Sequence, residues 1–275
     1  MYYFAGNDLN NWVKFTNYYW RIIRTSHDGS IRLLYSGTSP DTTSGYIGKS
    51  TFNTESNSPK YVGYMYGDSD ADLDKARTNT NNSTIKTYID NWYSNNLSAY
   101  TKYLSTDAVY CNDRKAPSYN ASSSFDYYVY TRLNVENPTY DCEDSSDAFF
   151  ESATGGGNGK LEYLIALMTV DELTYAGGKY YTNLTNLYAW YYLNSTGGSI
   201  TGDIYWWSLS PRFWNESGSG VWHVYGFDHQ GLLGDGYVDI KRGVRPAISL
   251  KTCTLWTSGN GAPETPYEIS TTSGC

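Results

Sequence analysis

Apolar and polar residues first alternate in period two. WVKF (12–15) and YYWRIIRT (18–25) read as strands, and the His27-Asp28-Gly29 turn followed by SIRLLYSG predicts a hairpin over Tyr18–Ser36. Residues 37–80 are rich in Ser, Thr, Asn, Gly and Asp and read as a long surface loop around one strand in YVGYMYG. The period then changes to that of a helix. Ile85, Tyr88, Ile89 and Trp92 fall on one face, Asn82 or Ser83 is placed to cap it, and the helix should end near Leu97.

Residues 112–158 are loop-like and close with GGGNGK. LEYLIALMT follows as an apolar strand. Thr169 and Glu172 then stand at capping-box spacing, with Gly177 placed to stop a helix of about two turns. The last part returns to period two in VWHVYGF, YVDIK and VRPAISL. Trp222 and Val224 would share one face, with His223, Tyr225 and Phe227 on the other; Val238 and Ile240 would likewise oppose Tyr237, Asp239 and Lys241. The pair Trp206-Trp207 should split between the core and the binding side, and Arg245 should make a structural hydrogen-bonded pair. The elements amount to an α+β chain, and no repeat or linker divides 1–275.

Composition narrows the class. With 20 Lys+Arg against 28 Asp+Glu the formal charge is -8, and no basic run occurs, which argues against a nucleic-acid partner. Charged residues make up only 17%, while Tyr alone numbers 30, so the polar positions are mostly hydroxyls and amides that suit half-buried strands. No apolar run approaches the roughly 20 residues that span a bilayer, so the chain itself should not insert. Met1 is followed by YYFAGNDLNN, without a basic region and apolar stretch of the export type. Cys111, Cys142, Cys253 and Cys275 lack CxxC spacing and paired histidines, so disulfides are favoured over zinc; four cysteines allow three connectivities.

NNWVKFTNYYWRIIRTSHDGSIRLLYSG, CNDR, LMTVDELTYAGG, YWWSLSP and GVRPAISL, in this order, resemble a family of surface proteins from gut bacteria, several of which look like the variable proteins diversified by diversity-generating retroelements. LMTVDELTYAGG is also similar to the strand-to-helix step of the formylglycine-generating-enzyme group. The resemblance implies a single C-type-lectin-like domain over 1–275, with a twisted antiparallel sheet, two main helices, long loops and chain ends joined by sheet pairing. It implies display outside the cell or at its surface, a variable ligand-binding segment at about 205–250 and a tail over 251–275. In that exported context, with loop-rich flanks on both pairs, Cys111 should bond Cys142 and Cys253 should bond Cys275.

The segment 212–236, RFWNESGSGVWHVYGFDHQGLLGDG, has the composition of a paratope: large Tyr and Trp surfaces among adaptable Ser, Gly and Asn. The expected contact residues are Arg212, Phe213, Trp214, Asn215, Ser217, His223, Tyr225, Phe227, Asp228, His229, Asp235, Tyr237 and Asp239. Phe213, Trp214, His223, Tyr225, Phe227 and Tyr237 should form one exposed face, backed by buried Trp222, Val224, Val238 and Ile240. Retroelements of this kind change template adenines. Asn-type codons with a fixed third-position pyrimidine can then become any of the expected contact residues except Trp214, and cannot become Glu216, Gln230 or Lys241.

The expected partner is a protein or glycan target whose identity the sequence leaves open. No catalytic residue, cofactor or metal is expected. The formylglycine-generating group needs active cysteines near the final strands, and none lies between Cys142 and Cys253. Glu216, Asp228, Asp235 and Asp239 read as solvated loop carboxylates before they read as a glycosidase pair. His223 and His229 with Asp228 lack a nucleophile motif or HExxH, and WNES and GDG are too sparse for calcium. The competing reading is a structural or adhesive surface subunit without a ligand pocket.

Overall fold

The computed structural model describes residues 1–151, 159–180 and 188–275. It is an α+β protein built on two principal sheets. The GGGNGK motif lies partly outside the described residues.

The seven-stranded sheet runs, edge to edge, Ala166–Leu167, Pro246–Leu250, Ile31–Tyr35, Tyr18–Thr25, Trp12–Phe15, Tyr267–Ile269 and Trp256–Ser258. Its centre is the expected hairpin. Gly29 takes φ +78, and Asp28 Oδ1 accepts from the Ser30 amide at 3.0 Å and from its hydroxyl at 2.6 Å, which closes the turn. The first and last parts of the chain meet here, because Val13 and Lys14 pair in parallel with Tyr267 and Glu268. Trp20, Leu33 and Leu34 carry the sheet's side of the core.

The helix Thr84–Asn96 packs on this hairpin. Ser83 Oγ accepts from the Lys86 amide at 3.2 Å and donates to the Tyr64 carbonyl at 2.7 Å, so the cap also ties the helix to the preceding chain. Ile85 and Ile89 are buried, and the half-buried Trp92 meets the rings of Tyr18 at 5.3 Å and Tyr35 at 5.5 Å.

A short helix, Val170–Tyr175, opens on the expected capping box: the Thr169 side chain accepts from the Glu172 amide, and Glu172 Oε2 accepts from the Thr169 amide at 3.0 Å. Gly177, at φ +102, follows its end. Glu172 Oε1 also accepts from Arg24 at 2.8 Å and Arg32 at 2.7 Å, which joins this helix to the central hairpin.

Both loop-like regions hold more structure than their composition predicts. Residues 37–80 contain a 3₁₀ turn, Pro59–Val62, and a helical turn, Leu73–Ala76; residues 112–151 contain the strand Phe125–Asp126 and the helix Tyr128–Asn134. Buried ion pairs stand there beside apolar core residues such as Val62, Phe125 and Leu133. Asp147 accepts from Arg114 Nε at 2.6 Å and from Arg77 at 3.4 Å, with Arg114 and Asp147 almost wholly inaccessible. Only Ala166–Leu167 of LEYLIALMT is strand, although the run is buried from Leu164 on. Cys111 is bonded to Cys142 and Cys253 to Cys275, and no cysteine is free.

The second sheet runs Leu233–Tyr237, Gly218–Val224, Trp206–Asn215, Arg242–Gly243 and Lys49–Ser50, with Phe125–Asp126 also paired to Trp206–Asn215. Arg245 lies buried between the sheets. It donates to the carbonyls of Tyr35 at 3.0 Å and Tyr191 at 2.6 Å and to Ser36 Oγ at 3.1 Å, a structural role met without a carboxylate.

Candidate functional site

The expected binding segment is the three-stranded core of the second sheet. Trp206–Asn215 turns at Glu216-Ser217 into Gly218–Val224, with Asn215 Oδ1 accepting from the amides of Ser217 at 2.9 Å and Gly218 at 3.1 Å. Leu233–Tyr237 pairs on the other side, placing Trp222 opposite Asp235, His223 opposite Gly234 and Gly220 opposite Tyr237. Cross-strand partners share a face. The sheet therefore presents Trp222, Asp235 and Tyr237 on one side and His223 on the other.

On the Trp222 side, the register shifts between Pro211 and Phe213, a bulge that leaves Arg212 as an extra residue. Its guanidinium lies 3.6 Å from the Tyr130 ring centroid and 5.3 Å from that of Trp222, and it is ion-paired to Asp126 and, at 3.3 Å, to Asp235. Burial alone would lower its pKa, but the two carboxylates outweigh burial and raise it. Phe213 folds over Gly220 and meets Tyr237 edge-on at 5.4 Å; a Cβ on Gly220 would lie 2.4 Å from the Phe213 ring. An open depression of about 380 Å³ runs here between Ser124–Asp126 and Arg212–Asn215.

The opposite side holds an aromatic cluster. His223 stacks on Tyr205, 5.4 Å between centroids at 12°, and meets Tyr225 at 4.8 Å and Trp207 at 6.3 Å. Tyr225 stacks on His229 at 4.6 Å, and Asp228 accepts from the Tyr205 hydroxyl and lies 3.3 Å from His229 Nδ1. Burial, and then Asp228, push the Tyr205 phenol up to about 12. Arg242 completes the cluster, 5.2 Å from the Tyr205 centroid and 5.0 Å from that of Trp207.

The expected single exposed face is corrected in three places. Trp214 is 8% exposed, with its indole donating to the Ala121 carbonyl at 3.0 Å, and His223 is 1% exposed. Ile240, expected in the core, is 45% exposed, because the strand ends at Tyr237 and the residues after it form a turn where alternation does not apply. Arg212 is also buried, and Trp206 and Trp207 point apart, Trp206 to Tyr191 and Arg245 and Trp207 to the His223 cluster, but both are buried, Trp207 donating to the Ser50 carbonyl at 3.0 Å. For Trp214 and Arg212 the cause is cover by other parts of the chain, and His223 is enclosed by Tyr205, Trp207 and Tyr225. Phe125–Asp126 pairs along Phe213–Trp214, and Pro59–Val62 packs on both long strands. Trp222, Val224 and Val238 are buried as expected.

The remaining expected contacts are accessible. Ser217, Phe227, Asp228 and Asp239 are exposed, and Phe213, Asn215, Tyr225, His229, Asp235 and Tyr237 are partly so. Phe227 is 65% exposed. Sequence reasoning missed Tyr205, Arg242, Tyr130 and Asp126. Tyr205 and Arg242 flank framework strands and carry no periodic signal, while Tyr130 and Asp126 come from a region read as loop.

A separate cavity of about 300 Å³ lies away from this segment, walled by the Cys111–Cys142 bridge, Arg24, Arg32, Arg132, Tyr140 and Glu172. Its arginines are paired to Glu172, Asp113 and Asp171, which marks them as structural ties. No helix among the described residues is long and apolar enough to cross a membrane.

Burial, and then Arg242, hold the His223 imidazole well below its ordinary pKa of 6.5. Below that pH the unfolded chain gains a proton that folded His223 refuses, so stability falls as pH falls. Denaturant unfolding at about pH 7 and about pH 5 should therefore show a smaller acid loss in His223→Phe than in the parent. Parallel pH slopes in the two proteins would contradict the assignment.

Compared with protein-family profiles, with curated proteins and with solved structures, the chain gives no match.

Proposed function

We propose that this chain is a non-catalytic ligand-binding protein displayed outside the cell, with the accessible residues of 205–250 forming a variable contact surface on a fixed C-type-lectin-like framework. The observation that carries the reading is the partition within one segment. Trp222, Val224 and Val238 are fully buried, whereas Phe213, Tyr225, Phe227, Asp228 and Tyr237 remain accessible beside them. Such a surface can exchange contacts without repacking its support, and its aromatic residues supply area at low entropic cost. Pairing of the first strand with the last agrees with the proposed fold, and two disulfides agree with an oxidising location. The target is a protein or a glycan. All four cysteines are bridged, which leaves no thiol for chemistry of the formylglycine-generating kind.

The decisive experiment reads template and variable-region DNA from several isolates. Differences should track template adenines and fall on Phe213, Asn215, Ser217, Tyr225, Phe227, Asp228, His229, Asp235, Tyr237 and Asp239. The buried Arg212 and His223, although reachable by the same codon changes, should vary less, because each is buried among neighbouring side chains. Differences spread equally onto Trp222, Val224 and Val238 would sink the proposal. The structural-subunit reading would then take its place, favoured by the edge strand Trp256–Ser258 with its exposed Leu255 and Trp256.

A further inference from the structure

The cluster around Arg242 contains two polar groups without partners. The Arg242 side chain makes no ion pair and no hydrogen bond with any described residue, and its Nε is buried; the Tyr205 and Trp207 rings flank it, with Tyr225 and Asp235 also near. Beside it, both ring nitrogens of the buried His223 are likewise unpartnered. The fully buried arginines, by contrast, are tied to carboxylates or carbonyls: Arg21 reaches the Leu193 carbonyl at 3.0 Å, Arg32 reaches Glu172, and Arg114 reaches Asp147. A half-buried cation left among aromatic rings is costly unless something supplies its missing acceptors.

The strand opposite is shaped around this cluster. A Cβ on Gly236 would lie 2.3 Å from Arg242 Nη2, and one on Gly234 would lie 2.3 Å from the Tyr225 ring. Neither glycine has a positive φ, so conformational freedom is not what requires them. Their value is space. Two alternate positions on Leu233–Tyr237 thus carry no side chain, and Arg242 and Tyr225 occupy the room that they leave.

We infer that Arg242 anchors the carboxylate of an acidic sugar residue, a carboxylated pyranose, with Tyr205 and Tyr225 as the ring platform. This rests on the binding-surface reading and gives it a ligand class. A guanidinium supplies paired donors to a planar carboxylate, and aromatic rings offer apolar faces to the C–H side of a pyranose. Asp228 and His229 beside Tyr205 supply polar groups for sugar hydroxyls. Asp228 beside Tyr205, and Asp235, whose charge reaches Arg242, disfavour a dianionic phosphate by like-charge repulsion more than a carboxylate, which carries only a single charge. Asp235, the other nearby acid, is engaged with Arg212 on the opposite side of its strand.

The test is an NMR titration of the intact chain with methyl β-D-glucuronide, methyl β-D-glucoside and inorganic sulfate. The glucuronide should shift the Arg242 guanidinium and Tyr205 ring signals, and the neutral glucoside should not. Arg242→Gln should weaken glucuronide binding by about tenfold or more, with partial recovery in Arg242→Lys. Gly236→Ala keeps the charge but displaces the guanidinium, so it should weaken binding as well; it also decides the matter if Arg242→Gln does not fold. No shift with glucuronide, an equal response to glucoside, or an equal response to sulfate would each overturn the inference. A failure here leaves the DNA comparison untouched, because diversification does not depend on which ligand this copy binds.

Discussion

Replacing Glu172 with alanine is expected to destabilise the protein by about 3–5 kcal/mol, because it strands two buried guanidiniums and removes half of a capping box. Glu172 accepts from Arg24, Arg32 and the Thr169 amide, and it is 2% exposed. Burial would raise its carboxyl pKa, but Arg32 and Arg24 outweigh burial and hold it down at about 2, against 4.5 ordinarily. The sign follows from linkage. Above pH 4.5 both states are ionised and the full contribution is present; as pH falls toward 2 the unfolded chain takes up the proton first, and about 3 kcal/mol is lost. Chemical unfolding of the parent and of Glu172→Gln across that range measures it. The glutamine variant should be weaker at neutral pH and flatter in acid, and a variant as stable as the parent at pH 7 would refute the account.

Removing the Cys111–Cys142 bridge as a double serine variant should cost about 3–4 kcal/mol, the loop-closure value for a separation of 31 residues. The segment it closes is poor in regular structure and carries Arg132, which pairs with Asp113 and Asp171. Loss should therefore extend beyond chain entropy to the docking of Tyr128–Asn134 against Val170–Tyr175. Hydrogen exchange would show it, with faster exchange in both helices than at Trp20 or Leu33 in the central hairpin. Uniform exchange across the molecule, or no loss of stability in the double variant, would count against this role.

The sequence by itself determined the elements whose signals are local. The Asp28-Gly29 hairpin, the Ser83 cap, the capping box at Thr169 and Glu172 and the stop at Gly177 each depend on residues within about four positions of one another, and each forms as read. Tertiary structure alone decided which face of the binding segment is free. Period-two alternation says that Trp222 and His223 point apart, as they do, but it cannot say that Pro59–Val62 and Phe125–Asp126, from regions read as loop, cover the sheet from elsewhere in the chain. That is why Trp214 and Arg212 are inside, while His223 is enclosed by Tyr205, Trp207 and Tyr225 and Phe227 is out. The same long-range packing brings Asp126 and Tyr130 to Arg212, and Tyr205 to Arg242. Alternation along a strand specifies direction, whereas burial depends on what another part of the chain places there.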